Sequence, residues 1–226
     1  MCASLADATW TEVQRAAASV LLVVPIGSTE QHGPHLPLAT DTDIAVALAR
    51  ALAAARPSVV VAPELAYGSS GEHSDFPGTL SIGREALELV LVELGRSASV
   101  TFGRTLFLSS HGGNARPVAR AVQRLRDEGR TVLAWSPPWA GDAHAGHLET
   151  SVMLALSPAR VALDRAAAGN VATLSELWEA LRHSGVRRLS ENGVLGDPTR
   201  ANAPDGRRLL RQATEDLISR VDAWVR

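Results

Sequence analysis

The chain has 226 residues, 46% of them hydrophobic, which is enough to bury one sizeable α/β core and requires no domain boundary. Its 22 basic residues, all arginine, against 24 acidic ones leave a net charge of -2, which gives no electrostatic case for nucleic acid or a membrane surface as a partner. A single cysteine, Cys2, excludes an internal disulfide and suits a reducing compartment; Met1 to Trp10 lacks the regions of a signal peptide, and no run approaches the ~20 apolar residues of a membrane span, so a soluble cytoplasmic protein is expected.

Thr9 to Val13 reads as a short helix start, with Thr9 or Thr11 as the cap and Glu12 in the first turn. Val20 to Ile26 is an apolar run long enough for one buried strand, and the polar stretch from Gly27 to Pro37, running on to Asp41, lies where that strand leaves the sheet. In an extended chain alternate side chains share a side, so Glu30 and His32 can reach a common ion. Carboxylate oxygen with imidazole nitrogen suits zinc, iron or manganese. Gly33, Pro34 and Pro37 turn the backbone so that Asp41 comes back toward the same point just before a helix. Taken singly, these three are equally readable as surface loop residues and a helix start. The apolar stripe Ile44, Val46, Ala47, Leu48, Ala51 and Leu52 predicts that helix over Asp43 to Ala55, ended by Arg56-Pro57.

Ser58 to Ala62 is the next strand, and strand, helix and strand of these lengths read as a right-handed crossover in a largely parallel sheet. Tyr67 to Gly83 breaks the pattern with glycines and serines around Glu72, His73 and Phe76-Pro77-Gly78-Thr79. Long irregular loops in compact domains are usually functional, so a substrate-facing loop is expected here, with Ser70 as a substrate contact. His73 either lines the pocket or is held by backbone, and Phe76 and Trp139 offer aromatic surface to the substrate. Glu85 to Ser97 gives a second crossover helix.

Arg104 to Ser110 is a third strand, followed at once by His111-Gly112-Gly113-Asn114 and a helix from Ala115 to Glu128. Ligands of open α/β sheets bind outside the carboxyl ends of strands, where His111 falls, and the glycines allow close backbone approach, with Gly112 a further substrate contact. The glycine patterns of nucleotide-binding loops are absent, so metal outranks nucleotide. Thr131 to Ser136 is the fourth strand, and Pro137-Pro138-Trp139 leads to a second polar cluster holding His144, His147 and Glu149 before an apolar helical stretch, Val152 to Leu156. One or both histidines can enter the site, and Glu149 either turns into the cleft or compensates a helix dipole. Ser175 to His183 reads as an amphipathic helix with His183 a dipole partner at its end, Glu191 to Pro198 as turns, and Asp205 to Val225 as a terminal helix.

Glu30-Gln31-His32-Gly33-Pro34-His35-Leu36-Pro37, then Asp41, His111-Gly112-Gly113-Asn114 and His144 with Glu149-Thr150-Ser151 together resemble, in order and spacing, the motifs of the creatininase family of metal-dependent amidohydrolases. The resemblance implies one domain over residues 1–226 with a three-layer α/β/α fold and a mostly parallel central sheet, a centre of two divalent ions (Zn2+, Fe2+ or Mn2+), and a homo-oligomer such as a hexamer. Carried over by position, Glu30, His32 and His111 would be ligands, Asp41 would bridge the metals and His144 would be the catalytic histidine; His35 is expected to stay off the metal. Creatinine-hydrolysing members have His-Tyr-Glu-Asn, whose Glu binds a metal, where this chain has His111 to Asn114. The fifth ligand is therefore expected from Glu149, which becomes the general base if it binds no metal, and creatinine is disfavoured as substrate. Gly71 to His73, Phe76 to Gly83, Gly141 to His147 and Gly193 to Thr199 further resemble a branch of peptidases that remove a C-terminal Val-Tyr dipeptide from a modified ribosomal precursor peptide. The alternatives are another amide hydrolase of the family, acting on creatinine or a formamidopyrimidine, and a non-catalytic metal- or peptide-binding protein of the same fold.

Overall fold

Thr9 caps the first helix, α1 (Trp10–Ala16), through a capping box in which its hydroxyl accepts from the Glu12 amide while the Glu12 carboxylate reaches back to the Thr9 amide. The computed structural model describes residues 3–226, so the cysteine reading, which falls on Cys2, lies outside the described residues. The chain continues through β1 (Leu21–Ile26), α2 (Thr40–Ala55), β2 (Val59–Val61), α3 (Arg84–Thr101), β3 (Arg104–Ser109), α4 (Ala115–Asp127), β4 (Val132–Trp135), α5 (His147–Leu156), α6 (Leu174–Leu189) and α7 (Ala203–Val225). The strands form one four-stranded sheet in the order β2-β1-β3-β4, and every pairing is parallel, as the crossover pattern predicts.

Side-chain alternation along the strands divides the apolar residues between two faces. Leu21 and Val23 of β1 and Leu106 and Leu108 of β3 face a core filled by Leu48 and Leu52 of α2, Val152 and Met153 of α5, and Leu217 of α7. Leu22, Val24 and Ile26 with Phe107 face a second core built from Leu87 and Leu91 of α3 and Val118, Val122 and Leu125 of α4. The result is the expected three-layer α/β/α sandwich, each fully buried leucine contributing about 1.5–3 kcal/mol. At one sheet edge the Val61 amide donates to Ala3 and its carbonyl accepts from Leu5, so the exposed side of β2 is covered by the start of the chain. Pro25 sits in a central strand because the β1–β2 ladder stops at Val23, before its missing N–H would be needed.

Two helices begin earlier than their apolar stripes indicate. α2 starts at Thr40 and α5 at His147, so Asp41 and Glu149 both lie in first turns, where the helix dipole favours a carboxylate. α6 is broken at Gly185, whose φ of 71° no other residue adopts cheaply, and its halves clasp the loop after β2. His183, in the last turn before that break, donates to the Glu179 carbonyl. No helix of the described residues is long and apolar enough to cross a membrane.

The packing of α5 on α7 is close enough to need a glycine: a Cβ on Gly206 would collide with the Ser151 carbonyl. Gly206→Ala is therefore expected to lower stability by about 1–3 kcal/mol through overpacking, although helix propensity alone predicts a gain of about 1 kcal/mol. Urea unfolding followed by circular dichroism distinguishes the two signs.

Candidate metal centre

Because all the strands run the same way, the segments that follow them emerge along one edge of the sheet. After β1 the chain turns at Gly33 (φ 65°), His32 bridges to Leu36, and the Glu30 amide donates to the Leu38 carbonyl at 3.0 Å, which folds the segment back onto α2. Thr42 of α2 donates its hydroxyl to the Ser28 carbonyl at 2.9 Å, and a side chain at Gly27 would collide with Thr42. Asn114, just after β3, ties three segments together: its Nδ2 donates to the Gly27 carbonyl at 2.9 Å and its Oδ1 accepts from the Ser69 amide at 2.9 Å.

This scaffold gathers Glu30, His32, Asp41, His111 and Glu149, the expected ligands, around one point. Asp41 lies in the middle. Its Oδ2 accepts from the Ser28 hydroxyl at 2.6 Å and is 3.3 Å from His111 Nδ1, while its Oδ1 is 3.6 Å from His32 Nε2. On one side His111 Nε2 is 3.2 Å from Glu30 Oε2; on the other, His32 Nε2 is 3.9 Å from Glu149 Oε2. Glu149 is held in place by the Ala145 amide, which donates to it at 2.6 Å. His144 and His73 approach Glu30 Oε1 with Nδ1 at 3.8 Å and Nε2 at 3.4 Å respectively. Candidate ligand atoms fall within 4.8 Å of one another in three sets: Glu30, Asp41 and His111; His32, His144 and Glu149; and Glu30, His73 and His144.

The remaining expected residues divide. Ser70 Oγ is 3.4 Å from His111 Nε2 but the residue is fully buried, which corrects its reading as a substrate contact, whereas a Cβ on Gly112 would meet nothing within 4 Å, so Gly112 borders open space. His35 turns away and pairs with the Thr150 hydroxyl at 2.8 Å, while His147 pairs with Asp205 of α7. Phe76 corrects an expectation: it is buried under α6 with Leu177, Val186 and Leu195, and the Arg187 guanidinium lies 4.8 Å over its ring, so it offers no surface to a substrate. Trp139 is half-buried against the core of α2, α5 and α7, with its indole nitrogen lacking a hydrogen-bond partner. Sequence reasoning passed over Gln31, Glu72, Ser28 and Asn114. Glu72 Oε1 is 3.8 Å from His111 Nε2, in the space that a side chain at Gly113 would occupy.

The charges do not close among themselves. Both Glu30 oxygens and His32 Nε2 are buried without any hydrogen-bond partner. His32 donates Nδ1–H to the Glu30 carbonyl at 3.2 Å, which aims Nε2 at the cluster, the arrangement by which metal-binding histidines are oriented. Burial pushes Glu30 up to about 7 against the opposing pull of His111. Burial works against a charge on His32 and His111, but Asp41 for the first and Glu30 and Asp41 for the second outweigh it and hold both at about 10. Burial would raise Asp41 too, yet His32 and His111 keep it well below the usual carboxylate range. Burial raises Glu149, and burial with the nearby His111 takes His73 down to about 3. Burial, followed by His32, likewise depresses His144. Buried oxygen and nitrogen donors that lack partners, with protons drawn onto two of the imidazoles, fit divalent cations such as zinc or manganese.

Residues 6–221 match the family model described as creatinine amidohydrolase, or creatininase. The mycofactocin precursor peptide peptidase of Mycobacterium ulcerans (strain Agy99) is 50% identical over 213 residues, covering 90% of this chain and 85% of that protein. Two solved structures share the fold: creatininase in a form designated Mn, with a TM-score of 0.84 at 23% identity over 98% of both chains, and a mutant creatininase of Zn-Zn type, with a TM-score of 0.83 at 24% identity over 98% of this chain and 97% of that one. A family model spanning nearly the whole chain, a relative identical at half of the aligned positions and a common fold agree: this chain belongs to the creatininase family.

Proposed function

We propose that this chain is a metal-dependent peptidase that removes a C-terminal Val-Tyr dipeptide from a modified ribosomal precursor peptide, that of mycofactocin, at a centre for two divalent ions (zinc, iron or manganese). The observation that carries the chemistry is the convergence of Glu30, His32, Asp41, His111 and Glu149 with buried donor atoms left unpartnered. The choice of substrate is supported by the peptidase from Mycobacterium ulcerans, half of whose aligned residues are shared. The reading includes a cytoplasmic homo-oligomer; Trp10, Leu89, Val100 and Trp178 are exposed apolar side chains that such a contact could cover.

These five residues would hold the ions, which when bound would supply a Lewis acid for the scissile carbonyl and a water acidic enough to attack near neutral pH. Asp41 serves both sides at once, since its two oxygens face His111 and His32 separately. His144 donates Nε2–H to the Gln31 carbonyl at 2.8 Å and turns Nδ1 toward the cluster, so it is oriented to accept a proton from the attacking water and deliver it to the departing amine. Burial, with His32 beside it, holds His144 neutral, so its Nδ1 lone pair is free. Gly112 borders open space, where its backbone can meet the peptide.

His144→Ala is expected to keep its full metal content, read by elemental analysis, while kcat falls about 10²- to 10⁴-fold; near-normal turnover with full metal would remove His144 from the chemistry. Incubated under one metal loading with the modified precursor, creatinine or a formamidopyrimidine, the protein should release Val-Tyr from the peptide alone, read by mass spectrometry. Turnover of a small molecule and not the peptide would move the chain to another branch of the family. Chelation should also change the response to pH. His32 and His111 are held at about 10 against 6.5 in the unfolded chain, so without metal they stabilise the fold fully below about pH 6.5 and progressively less toward pH 10. The melting temperature of the chelated protein should therefore fall across that range more steeply than that of the loaded protein in calorimetry.

A further inference from the structure

We infer that Gln31 is a positioning residue of this centre, fixing which nitrogen His73 and His144 each present to Glu30; the inference rests on the metal centre proposed above and deepens it. Gln31 is buried, and the Gly33 amide donates to its Oε1 at 2.8 Å, so the oxygen end is fixed and the amino end faces the other way. That Nε2 has three neighbours: His73 Nδ1 at 2.9 Å, the Gly193 carbonyl at 3.1 Å and His144 Nε2 at 3.1 Å. It has two hydrogens to give. His144 Nε2 also lies 2.8 Å from the main-chain carbonyl of Gln31, which can only accept, so this nitrogen carries a hydrogen and cannot take one from the amide. The two amide hydrogens therefore go to Gly193 and to His73 Nδ1.

A neutral imidazole carries one N–H, so His73, accepting at Nδ1, has its hydrogen on Nε2, 3.4 Å from Glu30 Oε1. His144, donating at Nε2, has its lone pair on Nδ1, 3.8 Å from the same oxygen. The two rings, with centroids 4.4 Å apart, share a tautomer yet turn opposite chemistry toward Glu30: a hydrogen from His73 and a lone pair from His144. His73 thus belongs to the surroundings of the metal rather than to its ligands, although its nitrogen falls within ligand distance of Glu30 and His144. At 3.4 Å it makes no hydrogen bond to Glu30, but it turns the positive end of its N–H dipole toward Oε1 and leaves the other oxygen, Oε2, for an ion. Gly193 completes the device, because a Cβ there would collide with Gln31 Oε1 and its φ of 79° favours glycine.

The test is a long-range 1H–15N correlation spectrum of Zn2+-loaded protein labelled with 15N-histidine, assigned with single-histidine variants. Wild type should show Nε2–H for both His73 and His144. In Gln31→Glu an acceptor replaces the donor, so His73 should switch to Nδ1–H while His144, held by the main chain, keeps Nε2–H. In Gln31→Met the His73 signals should move toward a mixture of tautomers. In Gln31→Glu the N–H that His73 turns toward Glu30 is replaced by a lone pair, so Zn2+ retention against a competing chelator should weaken about 10- to 100-fold. Nδ1–H on His73 in wild type, or a His73 tautomer indifferent to both substitutions, would overturn the inference. The wild-type spectrum alone is sufficient to do so if a variant does not fold. Since no substrate is involved, failure to cleave the precursor peptide would refute the proposed function and leave this result standing.

Discussion

Glu30 is fully buried, and neither of its carboxylate oxygens has a hydrogen-bond partner. An ion removed from water in this way costs several kcal/mol unless another charge answers it, and the nearest groups, imidazole nitrogens at 3.2 to 3.8 Å, answer it only incompletely. The opposite displacements of the two central carboxylates follow from that. Asp41 has the Ser28 hydroxyl and two imidazoles directly upon it and stays charged, whereas burial drives Glu30 toward its neutral form. Such a site fits a metal centre, in which the binding energy of the ions would offset the desolvation that the fold alone does not.

The rest of the structure serves to keep those groups from escaping to water or to one another. Parallel strands deliver four segments to one edge, Asn114 bridges the segments after β1, β2 and β3, and α2 and α5 begin at the points that put Asp41 and Glu149 in their first turns. The break of α6 at Gly185 lays that helix against the backbone of Glu72, so the turn carrying Glu72 and His73 is held from outside. Donors mounted on helix starts and strand ends are positioned by the fold itself, the condition under which electrostatic catalysis is most effective.

Much of this was legible in the amino-acid pattern because strand and helix periods are local. The apolar run ending at Ile26, the stripe from Ile44 to Leu52 and the switch from strand to His111-Gly112-Gly113-Asn114 each state their own element, and the order of elements implies a parallel sheet with ligands at its carboxyl ends. What was not legible depends on contacts between distant segments. Phe76 looked available to a substrate because nothing near it in the chain announces that α6, about a hundred residues later, covers it. Gln31 was passed over because strand alternation puts it on the side opposite Glu30 and His32; the strand has already ended at Ile26, so its amide is free to reach His73 and Gly193. The starts of α2 and α5 were set late for a related reason, since polar first turns that carry ligands have no apolar stripe to reveal them.

The central claim is that Asp41 stands between two ions, one shared with Glu30 and His111 and the other with His32 and Glu149. Anomalous diffraction from crystals grown with zinc or manganese tests it directly. The account predicts two peaks flanking Asp41, each at about 2.0–2.2 Å from carboxylate oxygen and imidazole nitrogen if zinc is bound. A single ion, or two ions with Asp41 in contact with neither or only one of them, would contradict it.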